Sequence, residues 1–139
     1  MIRARYQCYR VDQGLIAWRL LAGNNRVLGV SVHQFRALEL AVASIERVHR
    51  EVERGEFVVE RQVGGLWWWD LAAGATPIAR SAQGFARRVD ARLAASRFRE
   101  NATIADVEQG LSVFGAGRRG RTLGVPTRRS ARGPSRRKD

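Results

Sequence analysis

Cysteine and histidine are almost missing from this chain of 139 residues, which contains one Cys and two His. The single cysteine, Cys8, excludes a disulfide within the chain and any metal site built from several thiolates. The two histidines, His33 and His49, lie sixteen residues apart, and no spacing brings carboxylates to them in the pattern of a zinc site. We therefore expect no bound metal and no cofactor.

Long hydrophobic runs are also missing. The longest apolar stretches, residues 15–22 and 38–45, are far shorter than the roughly 20 residues that a membrane-spanning helix needs. The first residues, MIRARYQCYRVD, include arginines but no apolar region of the kind found in a signal peptide. These absences predict a cytoplasmic protein without a membrane anchor.

Lysine is nearly absent, so the positive charge comes from arginine, and it is unevenly distributed. Residues 1–114 contain 16 arginines and 12 acidic residues, a net charge of +4, whereas residues 115–139 carry a net charge of +8. This last segment is rich in Gly, Pro, Ser and Arg and poor in large apolar residues. Because it cannot bury enough apolar area to offset its ordering entropy, we expect it to be disordered.

The basic tail is the strongest functional signal in the sequence. Clustered cations suit a polyanion, since each neutralised phosphate releases counterions, and such contacts bind RNA or DNA without reading sequence. The alternative is a solvated tail that improves solubility or reflects the base composition of a GC-rich genome. The predicted nucleic-acid-binding residues are Arg118, Arg119, Arg121, Arg128, Arg129, Arg132, Arg136, Arg137 and Lys138.

An internal repeat predicts the architecture. GLIAWRLLAG at residues 14–23 returns as GLWWWDLAAG at residues 65–74, and the match extends from residues 6–48 to residues 57–98 at an offset of 51 that becomes 50 after the turn. Each copy contains three short strand-like runs separated by glycine-containing turns and then a run with helical period. The sequence therefore predicts an α+β domain, residues 1–100, made of two tandem βββα units, 6–54 and 57–100.

The predicted domain has a pseudo-twofold axis and a six-stranded antiparallel sheet whose helices cover one face. Alternation places Trp18 and Trp69 on the covered face, and Arg19, Trp68 and Asp70 on the other. We expect Arg19 and Asp70 to pair across the axis. The helical stripes, which recur at three and four residues, are Leu38, Ala41, Ile45, Val48 and Val52 in the first unit, and Ala91, Ala95 and Phe98 in the second.

Residues 101–114 place Ile104, Val107, Leu111 and Phe114 on one face of a helix. We expect a short amphipathic helical segment that packs on the domain, or alternatively one that binds a partner.

One run of residues suggests a relative. The sequence of residues 18–24, WRLLAGN, followed by VLGVS at 27–31, an aromatic at Phe35 and IERV at 45–48, resembles the YegP-like family of small bacterial proteins. The resemblance covers about residues 6–100 and is weaker in the second copy, where Asp70 replaces the arginine after tryptophan. It implies βββα units, in tandem or as dimers, and it implies no particular activity.

No motif indicates catalysis. The glycine turns at residues 23–25 and 115–117 lack the lysine and the serine or threonine of a phosphate loop. Ser31 and His33 have no aligned acid, and Cys8 lies in an apolar strand. We therefore predict no catalytic residues and no enzyme activity.

The functional hypothesis is an accessory module that its tail tethers to nucleic acid or a ribonucleoprotein. The alternative is a protein-interaction or self-assembly module that uses the sheet face around Trp68, with Arg19 on the same surface, and a tail that is incidental. Two units that share one core make a monomer, as a covalent pseudo-dimer, more favourable than an obligate oligomer.

Overall fold

The protein forms a mixed α+β structure, which was obtained as a computed structural model that describes residues 3–112. Seven strands build one sheet and two helices pack against it. The elements in chain order are β1 (Arg5–Arg10), β2 (Ile16–Leu21), β3 (Val27–Val30), α1 (Leu38–Glu51), β4 (Glu56–Arg61), β5 (Trp67–Ala73), β6 (Thr76–Arg80), α2 (Arg88–Ala102) and β7 (Asp106–Ser112).

The sheet has the strand order β4-β5-β6-β3-β2-β1-β7. Each group of three consecutive strands pairs antiparallel, and the two groups meet where β3 pairs antiparallel with β6 through Val30 and Arg80. Strand β7 returns to the opposite edge and pairs parallel with β1. The described sheet is therefore seven-stranded and mixed, not six-stranded and antiparallel.

The predicted helical segment at residues 101–114 is wrong where the structure describes it. Helix α2 continues to Ala102, and residues 106–112 form β7. Residues four apart share a face in a strand as well as in a helix, so the spacing of Val107 and Leu111 fits both structures. These two residues pair with Tyr6 and Cys8 across a bulge, in which Gly110 has a φ of 74°, a conformation that favours glycine.

Phe114 and the nine cationic residues of the basic tail lie outside the described residues. The predictions of a disordered segment at 115–139 and of nucleic-acid-binding residues within it therefore stay predictions.

The predicted core is confirmed. Trp18, Leu20, Trp69 and Leu71 are fully buried on the sheet face beneath the helices. The predicted helical stripes are buried against the same face. In the first unit the buried residues are Ala41, Ile45, Val48 and Val52, and in the second they are Ala91, Ala95 and Phe98. Alternation in the strands and helical period in α1 and α2 thus converge on one apolar layer.

Close packing around Phe98 joins the second helix to the centre of the sheet. The ring centroids of Phe98 and Trp69 are 4.9 Å apart. A Cβ atom added to Gly29 of β3 would lie 2.5 Å from the Phe98 ring and 3.0 Å from Trp69. Only glycine fits at this position, because the ring fills the space where a side chain would begin.

The two buried tryptophans make equivalent backbone hydrogen bonds, each to a serine. The backbone N–H of Trp18 donates to Ser31 Oγ at 3.2 Å, and that of Trp69 donates to Ser81 Oγ at 3.3 Å. Their indole groups differ, however. Trp18 Nε1 donates to Ser44 Oγ at 2.9 Å, whereas Trp69 Nε1 is buried without a hydrogen-bond partner among the described residues.

Two single substitutions, one beside each indole, test this difference. Ala94 occupies in α2 the position that Ser44 has in α1, at the offset of 50. We expect Ser44→Ala to lower the free energy of unfolding by about 1–2 kcal/mol, because it orphans a buried N–H, and Ala94→Ser to raise it by about 0.5–1 kcal/mol. Urea denaturation followed by tryptophan fluorescence measures both.

The control is Ser96→Ala, which changes an exposed serine of α2 and gives the same gain in helix propensity. Equal stability of the Ser44→Ala and Ser96→Ala variants would show that the indole hydrogen bond contributes nothing.

Candidate functional site

Two surfaces of the described domain carry clustered polar and charged side chains. The first is the sheet face opposite the helices, here called the polar face, which carries Gln7, Arg19, Asp70, Arg80 and Glu108. The second is a groove between α2 and β4, here called the arginine groove, which is lined by Phe57, Val59 and Ala95 below and by Arg88, Arg92 and Arg99 above.

The polar face is organised as one row across the strands. Gln7 of β1 pairs with Arg19 of β2, which pairs with Val30 of β3. Val30 pairs with Arg80 of β6, and Arg80 pairs with Asp70 of β5. Residues in register share a face, so these side chains form a continuous line perpendicular to the strands.

Arg19 belongs to a hydrogen-bonded network at one end of this row. Its Nε and Nη2 atoms donate to Gln7 Oε1 at 2.9 and 2.6 Å. Gln7 Nε2 donates in turn to Glu108 Oε1 at 3.0 Å, and Arg5 Nε lies 3.6 Å from Glu108 Oε2. The network ties β7 to β1 and β2. Burial lowers the pKa of Arg19, which nevertheless stays charged at neutral pH.

The predicted ion pair between Arg19 and Asp70 is wrong. Strands β3 and β6 lie between β2 and β5, so the two residues are three strand spacings apart, or about 14 Å. Asp70 Oδ1 lies instead 3.4 Å from Arg80 Nε on the adjacent strand. Simple hairpin pairing around Gly74 would place Asp70 opposite Ala79, but a bulge between Leu71 and Ala72 shifts it to Arg80.

Trp68 lies on the polar face but is only half-exposed. A Cβ atom on Gly84 would approach Trp68 Nε1 to 2.8 Å, so the loop before α2 passes over the edge of the indole. Its neighbour on β4 is Glu60. Arg19 and Trp68 thus share a face without meeting, and their role as an interaction surface stays a prediction.

The arginine groove was missed by the sequence reasoning, although its signal is visible. Arg88, Arg92 and Arg99 recur at spacings of four and seven residues, which places them on one side of a helix. Together with Phe57, Val59, Ala95 and Ser96 they line a half-open cavity of about 300 Å³. Without the position of the edge strand β4, nothing in the sequence shows that this stripe faces a cavity.

Cation–π contacts position two of these arginines. The guanidinium carbon of Arg99 lies 4.9 Å from the centroid of the Phe57 ring, and Arg99 Nη2 donates to Gly55 O at 3.4 Å. The guanidinium carbon of Arg88 lies 5.8 Å from the Trp67 ring. Such contacts are worth about 0.5–1 kcal/mol at exposed sites, and they leave N–H donors available for a ligand.

The acids of β4 and of the first turn of α2 do not neutralise the groove. Glu56 and Glu60 alternate with Phe57 and Val59 along β4 and so point to the polar face. Asp90 is paired with Arg87, with Oδ2 and Nε 3.0 Å apart. A positive rim over an apolar floor suits a ligand that combines negative charge with an apolar part.

Cys8 is 1% exposed, and burial raises the pKa of its thiol. Within residues 3–112, no group of three or more His, Cys, Asp or Glu side chains could hold a metal ion. None of the helices in the described part of the chain is long and apolar enough to cross a membrane.

Two solved structures share this fold. A UPF0339 protein from Shewanella oneidensis, determined by solution NMR, aligns with a TM-score of 0.65 at 19% identity, over 77% of this chain and 91% of that one. The YegP protein from E. coli, described as a protein of unknown function, aligns with a TM-score of 0.60 at 20% identity, over 78% of this chain and 93% of that one. The resemblance to the YegP-like family is therefore confirmed, as is the α+β class of the fold.

No protein-family model and no curated protein matches the sequence.

The ion pair on the polar face predicts a pH-dependent effect. Burial raises the pKa of Asp70 and Arg80 partly lowers it, so Arg80→Gln raises this pKa further. Because a raised carboxyl pKa penalises the ionised form, we expect a loss of about 0.5–1 kcal/mol in unfolding free energy near pH 7 that disappears near pH 3. Urea denaturation at the two pH values measures it.

The same substitution in an Asp70→Asn background should have little effect at either pH. A loss that is equally large in acid would assign the role of Arg80 to packing instead of charge.

Proposed function

We propose that the protein is a non-enzymatic accessory module that binds nucleic acid, or a ribonucleoprotein, through the cationic side chains of residues 118–138. The observation that carries the proposal is the charge distribution, since residues 115–139 hold +8 of the net +12. Arginine forks suit phosphate oxygens, and contacts of this kind bind RNA or DNA without sequence preference. The folded domain then serves as the body that the tail tethers, and the protein acts in the cytoplasm.

The folded domain, in this proposal, is a tandem repeat of two βββα units related by a pseudo-twofold axis between β3 and β6. Val30 and Arg80 are equivalent residues at the offset of 50, and they pair with each other at the centre of the sheet. A residue that faces its own equivalent is what a twofold axis produces. The isolated bridges from Ile16 to Phe35 and from Trp67 to Phe85 support the same relation. The protein is then a covalent pseudo-dimer and does not need a second chain.

Removing the tail tests the tether. Full-length protein should bind generic RNA and DNA in a filter-binding titration, whereas a chain that ends at Phe114 should lose that affinity. If six to nine cations bind single-stranded RNA, the logarithm of the affinity falls with the logarithm of the salt concentration with a slope of about −4 to −6.

The matched controls replace the eight tail arginines by lysine, which keeps the charge, or by glutamine, which removes it. We expect the lysine variant to retain the salt dependence and the glutamine variant to lose it. Equal affinities of the full-length and truncated chains would contradict the proposal.

A protein-interaction or self-assembly module is the second candidate, with the sheet face around Trp68 as its working surface. Trp68 is half-exposed there, and Val58, on the same face of the adjacent strand, is 39% exposed. Apolar groups amid charges are typical of a contact surface.

Self-assembly through this surface predicts a mass that rises with concentration in sedimentation equilibrium and a Trp68→Ser variant that stays monomeric. Val63→Ser, at a turn position that is 105% exposed, is the control and should assemble like the unmodified protein. A monomer at all concentrations would remove self-assembly as the function of this face.

A further inference from the structure

The two edges of the described sheet are treated differently. At one end, β1 is covered by β7, which comes from a distant part of the same chain. At the other end, β4 is the last strand, and no described residue pairs with its outer side. An unpaired edge presents backbone N–H and C=O groups to any extended segment that reaches it.

The edge at which β7 pairs with β1, together with the neighbouring side of α1, is here called the β7 seat, and it shows how this fold accepts an added strand. Val107 and Leu111 of β7 align with Tyr6 and Cys8 of β1, and both are partly buried against the core. At the start of β7, Ala105 O lies 2.9 Å from His49 Nε2 of α1. An added strand therefore pairs with the edge through its backbone and places apolar side chains between the edge strand and the helix.

The outer edge of β4 has the same arrangement of core-facing residues and forms a second seat. Phe57 and Val59 pair with Leu71 and Trp69 of β5, as Tyr6 and Cys8 pair with Leu20 and Trp18 of β2. Phe57 and Val59 line the arginine groove, whose cavity of about 300 Å³ lies beside the unpaired edge. This correspondence rests on strand pairing in the structure and does not require that the two halves arose by duplication.

The helix residues at the two seats differ in charge, and this difference identifies the occupant. At the offset of 50, Arg88, Arg92 and Arg99 of α2 correspond to Leu38, Val42 and His49 of α1. Leu38 and Val42 are partly buried and pack against the core beside the seat of β7. Two apolar residues and one histidine are thus replaced by three arginines, so the ligand of the second seat must be more acidic than β7 requires.

We propose that the outer edge of β4 and the arginine groove bind an extended acidic peptide segment of a partner protein, which adds to the sheet beside β4. Backbone pairing with β4 supplies affinity, apolar side chains fill the cavity over Phe57 and Val59, and carboxylates meet Arg88, Arg92 and Arg99. The basic residues 115–139 are excluded as the occupant by like charge. A nucleic acid has phosphates but no backbone that can continue a sheet.

The probe is an acetylated and amidated peptide, IENVQQGES, which is the sequence of residues 104–112 with its two outward-facing acids changed to amides and with glutamate at the inward-facing positions 105 and 111, so that its two carboxylates face the arginine groove. Isotope-labelled full-length protein is titrated with it, and amide chemical shifts are followed by NMR. We expect saturable changes that are largest at residues 56–61 and along α2. A peptide with glutamine in place of both glutamates should bind more weakly.

The matched variants reverse one arginine each on the same helix. Arg92→Glu, which lies in the groove, should weaken peptide binding by about fivefold or more at low salt, because one attraction becomes a repulsion. Arg97→Glu makes the same charge change at an exposed position outside the groove lining, and it should leave the affinity within about twofold. Circular dichroism checks that both variants are folded.

Four results would overturn the proposal. One is the absence of shift changes at residues 56–61 at millimolar peptide, and another is equal weakening by both variants. The third is a short single-stranded oligonucleotide that shifts the β4 amides while the peptide does not. Changes confined to β1 and β7, which indicate displacement of β7 by the peptide, would also contradict it. None of these results bears on nucleic-acid binding by the tail, which is measured separately by truncation.

Discussion

The structure depends on the burial of two indole rings, Trp18 and Trp69, under two helices. Both are fully buried, and each meets an aromatic partner edge-on, Tyr6 at 5.5 Å and Phe57 at 5.3 Å between ring centroids. An aromatic side chain of this size removes about 150–250 Å² from water, worth on the order of 4–6 kcal/mol before entropy. The positions of the helices follow from this layer, and those positions decide which faces of the sheet and which edge are left for binding.

Sequence reasoning reached the parts of the fold that depend on local periodicity. The stripe from Ala41 to Val52 and the alternation around Trp18 each repeat often enough to fix a face. It failed where a spacing fits two structures and where a contact depends on strand order. Val107 and Leu111 are four residues apart, a spacing that shares a face in a helix and in a strand, and β3 and β6 separate Arg19 from Asp70. Strand order is set by pairing between distant parts of the chain, which a single sequence does not show.

The arginine groove illustrates the same limit for sites. The spacing of Arg88, Arg92 and Arg99 marks one side of a helix, and an arginine stripe on a helix is ordinarily a solvated surface. Here the stripe differs because it borders a cavity over the edge strand β4, whose Phe57 and Val59 face inward and whose Glu56 and Glu60 face away. The half of the molecule that carries α1 places apolar residues at two of the three corresponding positions and covers its edge with β7. The two halves therefore differ at the sheet edge in both charge and cover.

The parallel pairing of β7 with β1 also determines how the chain can fold during synthesis. Gln7 and Glu108, which are hydrogen-bonded across these strands, are 101 residues apart in the chain. Among the described strands, the first to be made is therefore completed by the last, and until then both ends of the described sheet expose unpaired backbone. A nascent or truncated chain that ends before Ala105 would have unpaired strands at both edges of the described sheet. Such a chain would need chaperones or rapid completion to avoid aggregation.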